Sequence, residues 1–372
     1  MFKIKLNEFK ETRIYFKLFD CLLKEIDVKK ELYLIDNGIT PSSYRLARKQ
    51  EQNIGKHIIK KLANKLGYKI PNELLINEIE DKFNKIYFDV YYKIYDDYDS
   101  YYKYIDDLLK EKYILFPLLL LMKLFLFAND TKFESNNYVE RNREEFKEID
   151  KYNSFFNDSL YEIYEILKTS FTNVNVSEYV MKKFENGLFY FIMASTCITN
   201  KKYIEAYHFN QKCKEILLKE HNYKRLLFIN FKEFLILENF HKYEECYDLA
   251  VKQIQSLKSF DMTGYEYNIT TTHYAIACCA LKKYNEIYKF LSVQKSVNRN
   301  TVCALLISSY FVDRNQYEIY KKEYQKLNED LIYNFNIIEE FCITNNTKKI
   351  HSLNYVIDEM KDAIIFSVQT NN

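Results

Sequence analysis

Apolar residues recur along this chain at intervals of three and four, and no stretch sustains an interval of two. That pattern predicts helices throughout and no sheet. A first amphipathic helix is predicted over Asn7–Ile26, with Ile14, Phe16, Phe19, Leu22 and Leu23 as its stripe. A second, short one covers Val28–Asp36, with Leu32, Tyr33 and Ile35, and stops at Asn37-Gly38, where glycine can take the left-handed cap conformation. Thr40 then reads as an N-cap and Pro41 as the first residue of a third helix reaching Gln50. A fourth helix, Ile54–Leu66, puts Ile58, Ile59, Leu62 and Leu66 on one face before Gly67 caps it and Pro71 prevents continuation.

Further along, one phrase repeats. KKYIEAYHFNQKCKEIL from Lys201 returns as HKYEECYDLAVKQIQSL from His241, as KKYNEIYKFL from Lys282 and, more weakly, as NQYEIYKKEYQKL from Asn315. The leading tyrosines Tyr203, Tyr243, Tyr284 and Tyr317 are 40, 41 and 33 residues apart. Each phrase follows an apolar helix, so the unit is helix, short polar turn, helix. More divergent pairs are expected earlier: Phe83–Lys110, then Tyr113–Asn129 with Val139–Lys151, then Phe155–Thr169 with Val176–Glu185. A last pair is expected over Tyr333–Thr344 and Lys348–Met360.

Composition sharpens the division. The 372 residues include only 5 Gly and 3 Pro, and five of those eight (Gly38, Pro41, Gly55, Gly67, Pro71) fall between Asn37 and Pro71. A small, tightly turned head, 1–70, therefore precedes a long helical body, 71–372. Charge divides at the same place. Residues 1–70 carry 16 Lys and Arg against 8 Asp and Glu, a balance of +8, while the rest is −6. A basic head on an acidic body suits a nucleic-acid binder with a separate regulatory part.

Several chemistries find no support. The six histidines are scattered, and no H-E-x-x-H, P-loop, G-x-S-x-G or G-x-G-x-x-G occurs. His273 in THYAIACC invites a Cys–His reading, but its spacing to Cys278 and Cys279 is poor for one helix, and a core histidine is the better reading. No enzyme activity, cofactor or metal is expected. The eight cysteines form no C-x-x-C pair and read as reduced core thiols. The apolar run Tyr113–Ala128 is shorter than the roughly 20 residues of a membrane span and contains Pro117 and Lys123, so it reads as a buried helix. Without a signal-peptide core at MFKIKLNEFKETRIYF, the protein is expected in the cytoplasm, with no membrane partner.

A short helix, a tight glycine turn, a second short helix and a supporting helix make a helix-turn-helix. In that arrangement the second helix enters the major groove and offers its N-terminal side chains to base edges. Here these are Ser42, Ser43 and Arg45, with Arg48 and Lys49 near phosphates. No acidic residue occurs from Asn37 to Gln50. NGITPSSYRLARKQEQNIGKHIIKKLANKLGY resembles the Cro/repressor-type helix-turn-helix over about 35 residues. It departs from it where QEQNIG replaces the usual Glu-x-Gly.

The K-Y-x-E-A-x phrase of the body resembles the start of the second helix in tetratricopeptide repeats, and Ala194, Ala275 and Ser308 fall where the first helix needs a small residue. Phe234 breaks that rule in the second copy. The resemblance implies a right-handed α-α superhelix with a concave ligand surface lined by first helices. Counting back from each turn puts Ser195, Phe231, Asn239, Thr272 and Ser309 on that surface, with Asn230 beside it. An Asn amide both donates and accepts, and so can hold a peptide backbone.

Together the two halves are similar to the RRNPP peptide-pheromone receptors of Gram-positive bacteria and the arbitrium receptors of their phages. The resemblance implies a homodimeric transcriptional regulator that binds a double-stranded DNA operator through its heads. A short signalling peptide bound by the repeats would alter that binding. The competing expectation is a helical-repeat scaffold, or a peptide-gated inhibitor of a protein partner, that does not touch DNA.

Overall fold

The structure is a computed structural model and describes residues 3–25, 29–49, 53–92, 98–129, 136–172, 186–259, 264–294, 298–327, 331–354 and 356–369. Among these residues the fold is all-α, and the only β contact is an isolated bridge between Lys69 and Tyr113. The expected helix over Val176–Glu185 lies outside the described residues.

The chain forms two compact units: Met1–Asn200 with Gln211–Arg225, and Lys201–Asn210 with Leu226–Asn372. In the first unit the head consists of α1 (Thr12–Glu25), α2 (Lys30–Asp36), α3 (Pro41–Lys49) and α4 (Asn53–Lys65). Its core closes on Phe16, Phe19, Leu23, Leu34, Ile39, Tyr44, Ile59 and Leu62, all nearly inaccessible. Tyr44 meets Phe16 edge-on at 5.1 Å. The segment before α1 ties the head to the rest of the unit. Asn84 brackets Ile4, accepting from its N–H at 2.8 Å and donating to its carbonyl at 2.9 Å. Phe9 packs edge-on to Phe155 at 5.1 Å. Residues 1–70 thus lie within this larger unit rather than forming a unit of their own.

Beyond the head come α5 (Glu73–Tyr92), α6 (Asp99–Lys110), α7 (Phe116–Phe127), α8 (Asn136–Asp150), α9 (Asp158–Thr172) and α10 (Gly187–Thr199). The apolar run expected as a buried helix is α7. It packs against α5, α6, α8 and α9, which seals Leu118, Leu119, Leu121, Met122 and Leu124 to Leu126. Among the described residues no helix is long and apolar enough to cross a membrane.

The repeat phrases become α11 (Tyr203–Lys219), α12 (Tyr223–Asn239), α13 (Tyr243–Ser259), α14 (Tyr265–Ala280), α15 (Tyr284–Leu291), α16 (Arg299–Val312), α17 (Arg314–Leu327), α18 (Leu331–Thr344) and α19 (Asp358–Gln369). Tyr203, Tyr243 and Tyr284 each open a helix, whereas Tyr317 sits one turn inside α17. The turns before them share one geometry. Lys201, His221, His241 and Lys282 all adopt left-handed φ, between 54° and 57°. At His241 the N–H groups of His241 and Lys242 return to the carbonyls of Glu238 and Leu237, at 2.8 and 3.0 Å. The Lys282 turn does the same with Cys279 and Cys278, which makes both turns Schellman motifs. His221 shows that HNY before α12 is a further copy of the phrase, one that tyrosine spacing in pairs overlooks.

Within the second unit α14, α16 and α18 touch in series, and each also packs on the helix that precedes or follows it. Ala275 and Ser308 are fully buried, and Phe234 is buried just as completely. The end of the chain differs from expectation. A helix over Lys348–Met360 does not form; a short 3-10 turn, Ile350–Ser352, precedes α19. Asn334 takes the helix's place by pairing with Asn354 in both directions, Nδ2 to its carbonyl at 2.7 Å and Oδ1 from its N–H at 2.8 Å. α19 then folds back along α14.

Candidate nucleic-acid interface

Local chemistry builds the turn between α2 and α3 as expected. Gly38 has φ +66°, and the N–H groups of Gly38 and Ile39 each reach back to a carbonyl of α2 at 2.8 Å. Thr40 Oγ1 accepts from the Ser43 N–H at 3.1 Å, the N-cap bond of α3. The Thr40 hydroxyl also donates to Ser43 Oγ at 2.8 Å, so Ser43 is half-buried and engaged in the cap.

α3 turns Tyr44 and Ala47 inward and leaves Ser42, Arg45, Leu46, Arg48 and Lys49 exposed. The expected DNA-facing residues other than Ser43 therefore share the outward side of one helix. What the reading of α3 alone missed is where its arginines point. Arg48 Nη1 lies 3.0 Å from Asp20 Oδ2, a residue of α1. Arg45 Nη2 lies 3.1 Å from Glu31 Oε1, a residue of α2. Lys30 also pairs with Asp20, through Oδ1, and its ammonium sits 4.5 Å from the centre of the Tyr44 ring. The Tyr44 hydroxyl donates to Asp20 Oδ1 at 2.8 Å. Burial, and then the Asp20 charge, push the Tyr44 phenol pKa up, so it stays a donor. A cleft of about 320 Å³ between α2 and α3 is lined by Lys30, Glu31, Leu34, Pro41, Tyr44, Arg45 and Arg48. Beside these charges α2 and α3 also expose large apolar side chains: Leu32 at 54%, Ile35 at 55% and Leu46 at 47%.

The expected peptide-contacting residues divide. Ser195 lies in the first unit, half-buried, its hydroxyl donating to the Phe191 carbonyl at 3.0 Å. The other five belong to the second unit. Asn230 is half-buried and Asn239 is exposed, with its amide donating to the Leu235 carbonyl at 2.8 Å. Phe231 is buried edge-on to His273, with centroids 5.8 Å apart. Thr272 is buried, donates to the Asn268 carbonyl at 2.9 Å and accepts from Asn298 Nδ2 at 3.0 Å. Ser309 is fully buried and bonded to the Leu306 carbonyl at 3.0 Å, so it offers no surface to a ligand in this state.

His273 lies flat on Phe234, with centroids 4.0 Å apart and planes 1° apart. Burial pushes its pKa down to about 3, and its Nδ1 has no hydrogen-bond partner among the described residues. Burial likewise raises the Cys278 thiol to about 12, far from the thiolate that nucleophilic chemistry needs. All eight cysteines carry thiols rather than disulfides, and seven are buried. No group of three or more His, Cys, Asp or Glu among the described residues could hold a metal ion. Compared with family models, with curated proteins and with solved structures, the chain matches none.

Proposed function

We propose that the chain is a cytoplasmic, DNA-binding transcriptional regulator, acting as a homodimer, whose helical-repeat body binds a short signalling peptide and so alters operator binding. The observation that carries the reading is α3 itself. A glycine turn and a threonine cap start it, its inner side is locked into the head by Tyr44, and its outer side presents Ser42, Arg45, Arg48 and Lys49. A rigid helix with a cationic outer face and an anchored inner face is the geometry that major-groove reading requires. For the body, support comes from the stacked helix pairs and from Asn230 and Asn239, which are half-buried and exposed, respectively.

The test is a titration of labelled duplex DNA at several salt concentrations. Wild-type protein binds with an affinity that falls as salt rises, and Arg45→Ala with Arg48→Ala together abolish binding. Short peptides from conditioned medium then shift the affinity. A wild-type protein without salt-dependent duplex binding sinks the reading.

The exposed Leu32, Ile35 and Leu46 favour one alternative, a head that docks on a protein partner through an apolar surface ringed by charge. Under it, the double arginine variant leaves partner binding largely intact, while Leu32→Glu with Ile35→Glu removes it.

A further inference from the structure

We infer that Asp20 sets the DNA affinity of the head by competing internally for the cations that a backbone phosphate would take. The inference rests on the DNA-binding reading above.

Two cations from both helices of the pair converge on this one carboxylate. Lys30, at the start of α2, holds Oδ1, and Arg48, in the last turn of α3, holds Oδ2 at 3.0 Å. A carboxylate and a phosphate offer such donors the same kind of anionic oxygens. Asp20 comes from a third helix and is held there by the Tyr44 hydroxyl at 2.8 Å, with its side chain only 20% exposed. The cleft of about 320 Å³ opens beside the pair and is lined by Lys30, Arg45 and Arg48. A phosphate seated there draws Lys30 and Arg48 off Asp20 or shares them with it. Either way the Asp20 charge is left undercompensated and takes up a cation from solution. That uptake offsets part of the counterion release that drives DNA binding, so the wild-type head binds more weakly, and with a shallower salt dependence, than its cations alone would give.

The experiment is fluorescence anisotropy of a labelled mixed-sequence duplex over a series of KCl concentrations, for full-length wild type, Asp20→Asn and Asp20→Ser, with thermal unfolding of each. Asparagine keeps an oxygen for the Tyr44 hydroxyl and loses the charge. Asp20→Asn is expected to bind about threefold to tenfold more tightly, with a log–log salt slope steeper by about one. An unchanged or weakened affinity in a folded Asp20→Asn protein overturns the inference and makes Asp20 a structural brace. Should Asp20→Asn fail to fold, Asp20→Ser decides: tighter binding with a slope steeper by about one supports the inference, and an unchanged slope overturns it. A wild-type protein with no salt-dependent binding fails the parent reading; a binding wild type with indifferent variants fails this inference alone.

Discussion

Arg225 Nε donates to the carbonyl oxygen of Tyr91 at 2.7 Å, which places a guanidinium on the C-terminal end of α5. The side chain is fully buried, its Nη2 donates to the Val90 carbonyl, and Asn222 Nδ2 adds a second bond to Tyr91 at 2.8 Å. Phe191 covers the guanidinium at 5.0 Å. Burial lowers the guanidinium pKa, yet arginine's intrinsic value is so high that the group stays charged. The last carbonyls of a helix lack intrahelical donors and carry its negative dipole end, so they supply the compensation that a carboxylate otherwise would.

Removing that side chain takes the side-chain donor from the Val90 carbonyl, leaves Tyr91 with the Asn222 bond alone, and opens a large void. Arg225→Ala is expected to lower stability by about 3–5 kcal/mol, read from the urea midpoint at constant slope. A loss under ~1 kcal/mol would show that water takes over the α5 end.

His273 makes the second unit acid-sensitive. Its folded pKa of about 3 lies below the usual 6.5, so the unfolded chain takes up the proton first as pH falls. The stability it contributes is complete above about pH 6.5 and is lost as pH falls toward about 3. His273→Phe keeps the stack on Phe234 and is expected to remove on the order of 3 kcal/mol of that loss. Denaturant unfolding across the acid range reads it, and identical profiles for both proteins would contradict it.

Glu238 acts with the opposite sign. Burial, then Glu359 and Asp362 of α19, raise its pKa to about 7. A carboxyl whose folded pKa is raised contributes fully below about pH 4.5, and the contribution fades as pH rises through about 7. Glu238→Gln is neutral at every pH and should flatten that part of the profile. A variant whose stability still declines equally from acid to neutral pH would place the cause elsewhere.

The left-handed turn residues of the repeats carry a removable conformational cost. His241→Gly and Lys282→Gly, at φ 56° and 54°, should each stabilise by about 0.5–1 kcal/mol. Gly38→Ala, at φ +66°, should destabilise by ~1 kcal/mol. Thermal melts of the three variants test the assignment together; a destabilised His241→Gly would mean that the stack of His241 on Phe366 outweighs the backbone relief.

The sequence by itself determined the helices of the head and most of their ends. The third helix, expected over 41–50, forms as Pro41–Lys49, and the fourth, expected over 54–66, forms as Asn53–Lys65. Gly38 ends α2, Thr40 starts α3 and Gly67 ends α4, through capping bonds that span only a few residues and are written into local sequence. The apolar run likewise marked α7 as buried, and the repeated phrase marked Tyr203, Tyr243 and Tyr284 as helix starts. Only the tertiary structure decided which charges meet. An acid-free stretch from Asn37 to Gln50 is paired all the same, because folding brings Asp20 from α1 and Glu31 from α2 against it. It also decided that Ser309 is sealed, since a serine's exposure depends on which helices cover it. It also placed the last helix at Asp358, beyond a bracket in which Asn334 pairs with the backbone of Asn354 across 20 residues. Caps and periodicity act within a turn or two of chain, whereas ion pairs, burial and side-chain–backbone brackets arise only once distant helices have packed.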